Sequence, residues 1–91
     1  MNINCDFIKR LGISPNCYEE KQGWSLGGPT IESCAQFIFD NRVVVVRVTD
    51  EVEVNKINLI DNSIEHGMYT LDSYNEVAKV IWDWIMKHED V

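Results

Sequence analysis

From Arg42 to Val48 the chain reads RVVVVRV, with valines at 43, 44, 45, 46 and 48 that put apolar β-branched side chains on both faces of an extended segment. Such a run predicts a central strand covered on both sides. A Val45→Asp substitution is then expected to unfold the domain, because it buries an unpaired charge. The clearest helical pattern lies near the C-terminus, where Leu71, Tyr74, Val77, Ala78, Ile81, Trp84, Ile85 and His88 recur at three- and four-residue steps. Asp72, Glu76, Lys79, Asp83 and Lys87 occupy the opposite arc. This predicts a long amphipathic helix of about five turns packed on one face of a sheet, with Thr70 as N-cap and Ser73 and Glu76 as a capping box.

The N-terminal pattern is a shorter version of the same kind. Ile3, Phe7, Ile8 and Leu11 share one helical face, Lys9 and Arg10 fall in the last turn, and Gly12 is a natural left-handed stop, so a short helix is expected between Asn2 and Leu11. Ile13 to Asn16 carries turn chemistry, and Cys17 to Leu26 reads as a short strand pair around Lys21, Gln22 and Gly23. Gly27-Gly28-Pro29 is a turn that lacks the spacing of a dinucleotide fingerprint or a P-loop. Thr30 to Phe39 fits a strand with Ile31, Ala35, Phe37 and Phe39 on one face, or a helix with Ile31, Cys34, Ala35 and Ile38 as its stripe. The strand is preferred because Asp40-Asn41 can close a hairpin onto the valine run.

Beyond that run, Thr49-Asp50-Glu51 offers a polar turn, or else the strand continues to Val54 and turns at Asn55-Lys56. Val52 and Val54 have one parity while Ile57 and Leu59 have the other, which predicts a turn or bulge near Asn55-Lys56. Asp61 to Ser63 ends that element, and Ile64 to Tyr69 reads as a connector. The fold class is α+β: a small antiparallel sheet of about three to five strands, a short N-terminal helix and a long C-terminal one, in a single domain spanning 1–91.

Composition and charge narrow the function classes. Fifteen acidic against eight basic residues give a formal charge of −7, which opposes direct nucleic-acid binding and an anionic membrane surface. No apolar stretch approaches a membrane span or a secretory signal, so a cytoplasmic protein is expected. Cys5, Cys17 and Cys34 lack CxxC spacing and read as reduced, buried small hydrophobes. A zinc site from these with His66 is disfavoured by the spacing, DEVEV lacks the pattern of a calcium loop, and no cofactor is expected. An enzyme would draw on Cys34 as nucleophile and His66 as base, with His88 flanking the helix C-terminus, but ESCAQ lacks the neighbours of the caspase and papain signatures.

Two surface features point to protein binding. Asp50, Glu51 and Glu53 cluster beside the central strand, and Asp61 and Glu65 are expected to join them at one end of the sheet, forming a negative surface that steers a basic partner or merely keeps the protein soluble. Trp82 and Met86 lie one turn apart on the margin of the helical stripe, as interface contacts or as cover for the core's edge, and Val80 on the other margin has the same two readings. In general character the chain resembles small acidic inhibitors encoded by phages and mobile elements, including anti-CRISPR proteins and nucleic-acid mimics. That resemblance implies an inhibitor or regulator whose acids stand in for phosphates on a larger basic protein or nucleoprotein complex in a host cytoplasm. An immunity protein or antitoxin is the alternative, and a small cysteine- or metal-dependent enzyme a third class. Self-association stays open, since a valine-rich sheet can leave an edge or a face for a second copy, as a homodimer.

Overall fold

The computed structural model describes residues 3–86. Its elements run α1 (Asp6–Arg10), β1 (Cys17–Ser25), β2 (Gly28–Phe39), β3 (Arg42–Val48), β4 (Val52–Asn58), β5 (Ser63–Tyr69) and α2 (Tyr74–Ile85). The five strands form one antiparallel meander in sequence order, with the valine strand β3 at its centre. No helix among the described residues is long and apolar enough to cross a membrane.

Strand parity decides where the core sits. Ala35 and Phe37 of β2, Val44, Val46 and Val48 of β3, and Val52 and Val54 of β4 point to one face and are buried there. α2 closes over them with Val77, Ile81 and Trp84, and α1 adds Phe7 and Ile8. Among the described residues the opposite face has no helix on it. Val43 and Val45 are half-buried and Arg47 is exposed, so the central strand is covered on one side rather than two. The unbroken run of valines reflects an apolar patch on the open side.

The same reading explains the parity change in β4. Its register with β3 runs without interruption from Val52 to Asn58, and Ile57 simply faces the open side opposite Val43. No bulge or turn interrupts it at Asn55-Lys56. Ile64 to Tyr69, expected as a connector, is almost the whole of the edge strand β5, paired residue by residue with β4. Gly67 lies under the Tyr69 ring: a Cβ there would come within 3.1 Å of Tyr69 Cε2.

Both helices are shorter than their patterns. α1 has five residues, starts at Asp6 and stops at Gly12, whose φ of 71° is the left-handed conformation that glycine tolerates. α2 has twelve residues, just over three turns. Leu71 and Asp72 lie in the turn before it, and Ser73, not Thr70, is the N-cap. Ser73 makes no side-chain cap bond, so the capping box does not form; its hydroxyl lies 2.9 Å from the Thr70 hydroxyl. Lys87 and His88 lie outside the described residues. Val80 is partly buried against the core.

Tyr18, at the base of β1 on the helix side, ties the N-terminal segment to the sheet. Its hydroxyl accepts the Cys5 backbone N–H at 3.2 Å and donates to Glu20 Oε1 at 2.6 Å. Burial, with the Glu20 carboxylate beside it, raises the phenol above its ordinary range. The folded state therefore holds this proton more tightly than the unfolded chain. Its stabilising contribution is complete below the ordinary phenol value of about 10 and is lost as pH rises through the higher folded value. Urea midpoints should show no loss from this group up to about pH 9.5 and should fall as pH rises above about 10, and Tyr18→Phe should remove that fall.

Candidate protein-binding surface

The first two strands outrun the sheet. The last β2–β3 pair is Ser33 with Val48, while β1 and β2 continue together through Lys21–Glu32, Gln22–Ile31, Gly23–Thr30, Trp24–Pro29 and Ser25–Gly28. Five further pairs rising about 3.4 Å each form an arm about 17 Å long. It gives the molecule a longest extent of 51 Å, against 24 and 23 Å in the other directions. The strand pair expected to turn around Lys21–Gly23 is thus a single strand, and the turn comes at Leu26-Gly27. There the Ser25 hydroxyl accepts the Gly27 N–H and donates to the Gly28 carbonyl, each at 3.3 Å.

The arm is apolar where it has nothing to pack on. Trp24 is 83% exposed and Ile31 61%, and Leu26 at the tip is fully exposed. A two-stranded ribbon is marginal in water by itself, and exposed Trp, Leu and Ile on one are typical of a surface that a partner covers. In the sequence these residues do not stand out, because Lys21-Gln22-Gly23 offers an earlier turn. The signal was present in Gly27-Gly28-Pro29, the strongest turn sequence in the chain, flanked by Trp24 and Ile31.

The expected acidic cluster divides. Asp50 and Glu51 form the β3–β4 turn, at the same end of the sheet as the base of the arm, and make no ion pair among the described residues. Glu53 instead faces the open side, where its Oε2 lies 3.3 Å from Arg47 Nη1 and its Oε1 3.3 Å from His66 Nδ1. Asp61 sits in the β4–β5 loop at the opposite end, a strand length of about 20 Å away. The Ser63 hydroxyl and N–H, the latter 2.9 Å from Oδ1, hold its carboxyl below the ordinary range. Glu65 points to the helix side and pairs with Lys56 at 2.8 Å. Asp61 and Glu65 therefore do not join Asp50 and Glu51: alternation across the pleat and the length of β4 separate them.

Cations are mostly engaged elsewhere. Arg47 is gripped by Glu32, with Nε 2.6 Å from Oε1, and by Glu53. Arg42, buried at the far end, stacks 4.4 Å from the Trp84 ring centroid, and Arg10 lies 5.4 Å from that of Tyr74. Trp82 and Met86 face solvent on α2, 48% and 54% exposed, and so do not cover the core's edge.

The nucleophile and base considered for an enzyme do not meet. Cys34 on β2 and His66 on β5 are three strands apart, about 14 Å. His66 Nδ1 is 2.9 Å from Asn55 Oδ1, and burial pushes the Cys34 thiol up. The cysteines are less buried than expected: Cys17 is exposed, and Cys5 and Cys34 are half-buried. No protein-family model, curated protein or solved structure matches the chain.

Proposed function

We propose that the protein is a small acidic binding module that inhibits or regulates a larger, basic, nucleic-acid-handling partner by occupying its cationic surface. The supporting observation is the meeting of two features at one end of the sheet: the exposed apolar arm of Trp24, Leu26 and Ile31, and the unpaired carboxylates of Asp50 and Glu51. Carboxylates steer a cationic partner over a Debye length of about 8–10 Å, and desolvated aromatic contacts then hold it. A net charge of −7 adds long-range attraction to the same class of partner. Trp82 and Met86 are further exposed apolar side chains at the C-terminal end of α2, a second candidate contact.

Capture from lysate at about 50 mM and about 500 mM salt, followed by binding measurements on the captured protein, tests the reading. Complex formation should fall steeply with salt. The double variant Asp50→Lys/Glu51→Lys should slow association at least about tenfold, and Trp24→Ala should weaken affinity by about 2 kcal/mol without changing stability. Affinity indifferent to salt and to both variants overturns it. A captured toxin enzyme that the chain silences would make it an immunity protein or antitoxin instead.

A further inference from the structure

The open face of the sheet carries a pattern that is complementary to itself. Register places Ile38, Val43, Ile57 and Ile64 directly opposite one another, as one row across β2, β3, β4 and β5. The row two residues along is Gln36, Val45, Asn55 and His66, and the next is Cys34, Arg47, Glu53 and Met68. Ile38, Ile64 and Met68 are 42%, 62% and 52% exposed, and no described element lies over this side.

We propose that a second copy of this chain packs on that face, about a two-fold axis running along the strands between β3 and β4. This axis exchanges β2 with β5 and β3 with β4, so each row meets itself reversed. Ile38 then faces Ile64 of the other copy, and Val43 faces Ile57. Gln36 meets His66, and Arg47 of each copy meets Glu53 of the other, so two charge pairs close a four-residue ring. An in-plane axis perpendicular to the strands, centred on the middle row, would set the apolar row against Arg47 and Glu53, burying charge on hydrocarbon. Sheets that pack face to face keep their strands nearly aligned, as this axis requires.

Charge and area agree with the arrangement. By register the face holds three acids, Glu19, Glu32 and Glu53, and two bases, Lys21 and Arg47, so it carries little of the chain's −7 and two copies approach there with least repulsion. The four opposed strands, β2 to β5, spaced about 4.8 Å apart and seven residues long, project a face on the order of 450 Å². Ridged side chains present more surface than their projection, so the pair buries on the order of 1,200 Å² in total, the lower bound for a specific interface. Because the axis follows the strands, both arms and both Asp50-Glu51 turns emerge at the same end of the dimer.

Light scattering on the wild-type chain at about 100 µM, a concentration ample for micromolar dimers, should give twice the monomer mass of 10.5 kDa. Ile64→Lys, on an exposed position, should halve it. Arg47→Glu and Glu53→Arg should each weaken the dimer at least about tenfold. An equimolar mixture of those two variants should regain it, since every opposed pair is again of opposite sign. A wild-type monomer at that concentration overturns the proposal. So does a mixture that stays monomeric while circular dichroism shows both variants folded. Loss of the dimer would leave the acidic end and the arm untouched, so partner binding is measured separately.

Discussion

A Val46→Asp variant is expected to be unfolded at room temperature, while Val45→Asp, one residue away, keeps the fold. Val46 is fully buried between Ala35 and Val54 under α2, so a carboxylate there has neither water nor a partner. An unpaired buried charge costs about 5 kcal/mol or more, comparable with the total stability of a chain this size, about 5–14 kcal/mol. Val45 lies on the open face beside Gln36 and Asn55, where in the monomer an aspartate stays hydrated and the loss is about 1 kcal/mol of strand preference and packing. Far-ultraviolet circular dichroism with urea titration distinguishes the two. Equal loss in both would mean that the open face is covered within the folded monomer.

Trp84→Ala should be the largest truncation effect in α2, about 3–5 kcal/mol. The indole is 8% exposed and serves three purposes at once. Its ring lies under the Arg42 guanidinium at 4.4 Å and near Lys56 Nζ at 5.5 Å, and its Nε1–H donates to the Ile57 carbonyl at 3.2 Å. Removing it leaves a cavity and strips a buried cation of its aromatic neighbour. Trp84→Phe preserves a ring and should lose only about 1–2 kcal/mol, mainly the hydrogen bond and some volume. Urea midpoints measure both, and a Trp84→Ala loss below that of Trp84→Phe would remove the indole from this role.

Much of the architecture was legible because it follows from local chemistry. Asp40 tolerates a φ of 52°, which closed the β2–β3 hairpin as expected and resolved Thr30–Phe39 as strand. Gly12 ended α1 where its conformation allowed. The misread elements share a different cause. In the sequence Ile57 reads as a break in alternation and Val45 as core, because a pattern of apolar residues does not say whether a second layer exists to cover them. Ile64–Tyr69 reads as a connector, since an edge strand with little burial and a glycine under Tyr69 has weak periodicity. The C-terminal helix is shorter than its pattern, whose apolar spacing reaches back to Leu71, where the chain turns instead.

The candidate surface was the least legible part. Asp50, Glu51, Glu53, Asp61 and Glu65 lie close in sequence, yet residue alternation sends Glu53 and Glu65 to opposite faces and the length of β4 sends Asp61 to the other end. By itself, then, the sequence determined an acidic α+β chain, a valine strand at the centre of an antiparallel sheet, and an amphipathic helix to cover it, because side-chain periodicity and turn chemistry act within a few residues. Only the tertiary structure decided that the helices gather on one face, that β1 and β2 outrun their neighbours as an arm, and that Ile38, Val43, Ile57 and Ile64 line up in a row. These are matters of register between strands far apart in the chain, and register is set by the packing of the whole sheet.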